Sequence, residues 1–217
     1  MCFFSILLQH RGTLVVDKPA GLSSEQRGPG QSVIASIRRR YPDAQLPHRL
    51  DRITSGVLVA CMDRETTAAH NAAIATGDWG PKLYLARLAA STLPLGERKA
   101  YVRRRGKRAE VVRSGGKPSF LDVLCTAEAP GGNLDVLILL RTGRYHQLRC
   151  MLAHEGAPLL GDFLYGEYSP HEPLLCHAAL GLPPFLDRRI VRSTFASSFV
   201  PEIRDALEMQ IQRHLHS

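Results

Sequence analysis

Short runs of β-branched and apolar residues recur along most of the chain, and stretches with helical patterning fall between them irregularly. This distribution limits the fold more than any other feature. Strand-length runs occupy 13–16, 57–62, 82–89, 101–105, 120–126, 134–140, 175–180 and 194–200, and runs of this length and composition favour extended backbone. Helical patterning is confined to four places. These are 31–40, with Ser32 as a cap; the alanine-rich 64–76, stopped by Gly77; 145–155, ending at Gly156; and 201–215, where Ile203, Leu207, Ile211 and Leu215 recur every four residues. A doubly wound sheet needs a helix after nearly every strand, whereas turns such as PGGN at 130–133 join strands directly. The expected class is therefore α+β: a mixed, mostly antiparallel central sheet with flanking helices, the last helix packing as a lid.

The 217 residues contain no repeat and no low-complexity linker, so one domain spanning 1–217 is expected, with the Gly/Pro stretch 27–30 as an internal loop. A hydrophobic share of 44% against 22% charged residues excludes a disordered or fibrous chain. No apolar run reaches the roughly 18 residues that cross a bilayer, and the opening MCFFSILLQHRG lacks a basic flank and a small-residue cleavage site. Neither membrane insertion nor secretion is expected. A cytoplasmic protein is, with an organellar home left open. Five scattered cysteines form no disulfide framework, and no Cys/His spacing suits zinc, so no metal is expected.

The net charge of +8 points to a polyanionic partner, with nucleic acid the leading candidate. The charge is concentrated. Arg98, Lys99, Arg103, Arg104, Arg105, Lys107, Arg108 and Arg113 face Glu110 alone within 98–113. The loop-like SGGKPS at 114–119 has no upstream glycine at phosphate-loop spacing, and Pro118 stands where a helix should begin, so no nucleotide cofactor is expected.

The most informative stretch is HRLDRITSGVLV, at 48–59, which places Asp51 between Arg49 and Arg52 just before an apolar strand. Two readings fit these residues. Opposite charges on either side favour the ionised carboxylate that a nucleophile needs, with Thr54, Ser55 and Gly56 forming a tight turn that aims it. The alternative is an ion pair closing a surface turn.

HRLDRITSG resembles the signature of the RluA-type pseudouridine synthases, and further similarities follow in family order. DKPAG at 17–21 is similar to that family's N-terminal element, and KLYLARL at 82–88 to its Lys-x-Tyr-x-Ala strand. TGRYHQLRCMLAHEGAPLLGDFLYG at 142–166 resembles its long block ending in Gly-Asp-x-x-Tyr-Gly, and LCHAALGL at 175–182 its late strand. The resemblance covers about residues 13–200. Met151 stands where relatives commonly have histidine, and a threonine frequent before the 120 strand is missing.

The resemblance implies a pseudouridine synthase catalytic domain without a separate N-terminal RNA-binding domain, acting on structured rRNA or tRNA, and a monomer is expected. It implies Asp51 as the catalytic residue, Tyr84 stacked on the target uracil, Arg149 paired with Asp51, Leu148 on the apolar wall, and Arg49 contacting RNA beside a flipped nucleotide. Because the base is detached from ribose and rejoined with no group added, no cofactor is implied. His48 and His146 are expected to be hydrogen-bonded scaffold residues. Two other functions compete: a non-catalytic RNA-binding or RNA-chaperone protein on the same fold, and a glycosidase or nucleoside hydrolase using Asp51.

Overall fold

The computed structural model describes residues 4–26, 30–166 and 169–215. In chain order its elements are β1 (Ser5–His10), β2 (Thr13–Lys18), α1 (Val33–Arg38), β3 (Ser55–Cys61), α2 (Arg64–Thr76), β4 (Lys82–Leu88), β5 (Gly96–Arg105), β6 (Arg108–Val112), β7 (Lys117–Ala129), β8 (Asn133–Leu140), α3 (Gln147–His154), β9 (Leu175–Gly181), β10 (Ile190–Arg192) and α4 (Pro201–Leu215). Contacts divide the chain into two compact units, residues 1–82 with 176–195 and residues 83–175 with 196–217. The class is α+β, as expected. Among the described strand pairs, only β3 with β9 is parallel.

In the first unit β1, β2 and β3 form an antiparallel meander, β3 continues in parallel to β9, and β10 pairs antiparallel with β9. β2 is buried throughout and β3 nearly so, which is why their sequences read as continuous apolar runs rather than alternations. Val15, Val57, Val59, Leu180, Leu182 and Leu186 make the core. Helix α2 keeps its sequence-expected bounds because both ends are capped: Asp63 accepts from the Thr66 amide, and Gly77 adopts φ +79°. Ser32 caps α1 by accepting from the Ala35 amide.

Ser55 and Gly56, expected in the turn, belong to β3 instead; the turn is closed earlier by the Thr54 amide donating to the Asp51 carbonyl at 3.1 Å. Gly56 has φ +106°, and a Cβ there would stand 2.3 Å from the His177 carbonyl oxygen. Parallel pairing of β3 with β9 therefore requires glycine. Gly56→Ala is expected to destabilise the protein by about 3 kcal/mol or more, and an unchanged urea midpoint would contradict this.

The second unit is an antiparallel run in the order β4, β8, β7, β5, β6. The PGGN turn connects β7 to β8, with Gly131 and Gly132 both at positive φ. Helix α4 lies on β7 and β8 and buries Ile203, Leu207 and Ile211, while Leu215, expected on that face, is exposed at the helix end. The strand expected at 194–200 is a 3-10 turn at Thr194–Ser198. Its polar groups are claimed elsewhere: Asp17 accepts from the Ser193 and Thr194 hydroxyls and the Thr194 amide, and Asp135 accepts from the Val200 amide where α4 begins. The strands β1, β6 and β10 were not expected, since their exposed or charged residues hide the pattern.

Candidate active site

In the first unit two loops, 19–24 and 48–54, are stitched together, the second carrying Asp51. The Ser24 hydroxyl donates to the Leu50 carbonyl at 2.8 Å and accepts from the Leu50 amide at 3.1 Å. The Gly21 amide donates to the Arg52 carbonyl, and Arg52 Nε donates back to the Gly21 carbonyl at 2.7 Å. Lys18, wholly buried at the end of β2, donates from Nζ to the carbonyls of Pro19, Leu22 and Arg52 at 2.9, 2.8 and 3.4 Å. Burial pushes its ammonium down to about 7, against the field of Asp51, which raises it. Lys18 and the half-buried Asp51 are thus coupled through their charges. Arg49 is exposed, and its guanidinium meets Glu25 at 2.7 Å.

Behind this loop lies a cluster of aromatic rings. His48 Nε2 accepts from the Val59 amide at 3.0 Å, His177 Nδ1 donates to the Val57 carbonyl at 2.6 Å, and His70 Nε2 lies 2.9 Å from the Thr13 hydroxyl. Trp79 packs edge-on against His48 and His70. Desolvation holds His48 well below the usual histidine range, His70 at about 4 and His177 at about 3. These histidines are neutral in the fold and titrate near 6.5 when unfolded. Their contribution to stability is complete above pH 6.5 and is lost as pH falls from there toward 4. Each contributes a slope of about 1.4 kcal/mol per pH unit in that window. Between pH 7.5 and 4.5 the three histidines together should lower stability, followed by thermal melts at the two pH values, by about 8 kcal/mol. His70→Gln should flatten the dependence; an unaltered profile in that variant would remove His70 from the account.

In the second unit Tyr84 lies on β4 between the fully buried Leu83 and Leu85, opposite Ile138 of β8, and is itself only 7% exposed. Arg149 and Leu148 lie on α3 and are both buried. Arg149 is not a surface arginine: Nε and Nη2 donate to the two oxygens of Asp162 at 2.7 and 2.8 Å, and the guanidinium lies 5.0 Å from the Tyr165 ring centre. Tyr165 accepts from the Ala109 amide at 2.6 Å and meets His146 Nδ1 at 2.9 Å. His146 precedes α3 in the left-handed region, φ +52°. Gln147 fastens the preceding loop: its amide oxygen accepts from the Arg144 amide and the Thr142 hydroxyl, and its Nε2 donates to the Phe120 carbonyl. Lys18, Asp162 and Tyr165 were not singled out from the sequence. All three stand inside the recognised motifs, which was the available signal.

The basic segment 98–113 forms the β5–β6 hairpin. Glu110 pairs with Arg103 at 2.6 Å and Arg105 at 3.6 Å, and Arg98 pairs with Glu155 at 2.8 Å. Arg104 lies 4.4 Å over the Tyr145 ring. SGGKPS runs into β7 rather than a helix.

The family model described as RNA pseudouridylate synthase matches residues 12–154, about two thirds of the chain and both loop motifs. The chain belongs to the RNA pseudouridylate synthase family. It is an RNA pseudouridine synthase, an isomerase of uridine in RNA. It is 31% identical to the dual-specificity RNA pseudouridine synthase RluA of Escherichia coli, over 74% of this chain and 76% of that one. It is 28% identical to an uncharacterized RNA pseudouridine synthase of Haemophilus influenzae, over 75% and 73%. Among solved structures, human RNA pseudouridylate synthase domain containing 1 has the same fold, with a TM-score of 0.80, 24% identity and coverage of 99% and 95%. Among the described residues, no helix is long and apolar enough to cross a membrane, and no cluster of three or more His, Cys, Asp or Glu could hold a metal.

Proposed function

We propose that this pseudouridine synthase uses Asp51 to convert particular uridines of structured rRNA or tRNA to pseudouridine, as a cytoplasmic monomer built on one catalytic domain and without a cofactor. The observation that carries this reading is the Asp51 loop, pinned to the 19–24 loop by the hydrogen bonds of Ser24 and Lys18. A group fixed in this way meets the reacting bond with little reorganisation.

The reaction breaks the bond from ribose C1′ to uracil N1 and forms one from C1′ to C5; C5 loses its proton and N1 gains one. Asp51 begins the exchange, as a nucleophile or as the base for elimination toward a glycal. Tyr84 stacks on the uracil and serves proton transfer at C5, Arg149 keeps the carboxylate ionised, and Leu148 contributes to the apolar wall that excludes water. Arg49 gives up Glu25 to contact the RNA beside the flipped nucleotide. The hairpin cations, and a groove of about 380 Å³ that includes Arg103, Arg104, Lys117, Arg144 and Tyr145, suit phosphates and an unstacked base.

Release of tritium from unmodified rRNA and tRNA transcripts carrying tritium at uridine C5 tests this reading and identifies the RNA class. RNA binding without release from any transcript would instead favour the non-catalytic RNA-binding protein, and appearance of free uracil would favour a glycosidase.

A further inference from the structure

Phe163 is the most exposed large hydrophobic side chain among the described residues, at 76%. It occupies one of the two open positions in the Gly-Asp-x-x-Tyr-Gly motif, so the arrangement around Arg149 does not dictate its identity. The loop that carries it is fastened on both sides. Before it, Gly161 has φ +78°, and a Cβ there would lie 2.0 Å from the His171 carbonyl oxygen. Asp162 is fixed by Arg149, and its side chain also accepts from the Leu164 amide at 3.1 Å. After it, the amides of Tyr165 and Gly166 donate to the Asp162 carbonyl at 3.1 and 2.7 Å. The ring is therefore displayed to solvent on a fixed backbone, with only its own side-chain rotations to lose on binding.

The surroundings are cationic. Arg108 donates to the Leu164 carbonyl, one residue from Phe163, and its guanidinium lies 5.4 Å from the Tyr165 ring centre. The Ala109 amide donates to the Tyr165 hydroxyl, and the Tyr145 hydroxyl donates to the Lys107 carbonyl. The tip of the β5–β6 hairpin, with Arg104, Arg105, Lys107 and Arg108, is thereby tied to the 161–166 loop and to the chain entering α3. An exposed aromatic face beside a row of cations is the combination that holds single-stranded nucleic acid, with bases on the ring and phosphates on the charges.

We propose that Phe163 is a stacking platform for an unpaired nucleobase of the RNA, outside the target uridine's own pocket, with the hairpin cations holding the adjoining phosphates. The proposal rests on the RNA reading above and adds a contact site to it.

Phe163→Ala and Phe163→Trp are compared with wild type by filter binding to poly(U) and to the transcript that supports tritium release. Phe163→Ala should raise Kd and KM by about 5-fold or more, the loss of one base stack. It should leave kcat within about 2-fold and leave the salt dependence of binding unaltered, since no phosphate contact is removed. Phe163→Trp should bind as wild type, and its fluorescence should be quenched by poly(U) beyond the change seen for Trp79 in wild type. Wild-type Kd and KM in Phe163→Ala would overturn the platform while leaving the synthase reading intact. A change of oligomeric state in Phe163→Ala with unaltered RNA affinity would assign the ring to self-association and overturn it equally. A wild-type protein that binds no RNA would overturn both.

Discussion

Asp51→Asn is expected to lower the rate of uridine isomerisation by about a thousandfold or more while leaving RNA affinity within a few fold of wild type. The substitution keeps the size of the side chain and the backbone bond from the Thr54 amide to the residue-51 carbonyl, so the loop should retain its shape. It removes the charge, and with it the group proposed above as nucleophile or base. The Lys18 ammonium would then lose the field of Asp51 that opposes its desolvation. RNA affinity should survive because the hairpin cations and Arg49 are untouched. Tritium release measured at saturating transcript, together with filter binding, separates the two quantities. A variant retaining a tenth of wild-type activity would remove Asp51 from the catalytic role.

Asp162→Ala is expected to destabilise the protein by about 3–5 kcal/mol. Arg149 is 5% exposed and Asp162 1% exposed, so their two-bond pairing takes place away from water. Removing the carboxylate leaves the guanidinium desolvated beside His146 and Tyr165 and deprives the Leu164 amide of its acceptor. Asp162→Asn, which retains the shape and one acceptor oxygen, should fall between Ala and wild type. Urea titrations of the three proteins measure the difference. Equal midpoints for Ala and wild type would mean that the pair contributes nothing net to stability. Where the variants remain folded, reduced activity is expected as well, because the orientation of Arg149 depends on the same two bonds.

The parts of the fold visible in the sequence are those set within a few residues of one another. Helix α2 has its expected bounds because Asp63 and Gly77 cap it locally, and α4 occupies 201–215 because its four-residue spacing needs only an apolar surface to lie on. The β7–β8 hairpin follows from its two glycines in the left-handed region. The motifs holding Asp51, Tyr84 and Arg149 were recognisable for a related reason, since each is a short continuous string.

What the tertiary structure decided involves partners far apart in the chain. Residues 194–198 form a turn rather than a strand because Asp17, some 177 residues away, takes their hydrogen bonds. Gly56 belongs to a strand because His177 lies against it. Lys18 gives no sign in the sequence of being buried; three carbonyls from two loops enclose it only after folding. Arg149 carries the same pattern as a surface helix arginine until Asp162 comes to lie against it. Periodicity records which face of an element avoids water. It does not record which distant polar group satisfies a buried charge, and at Lys18 and at Arg149 that choice determines how each charge is held.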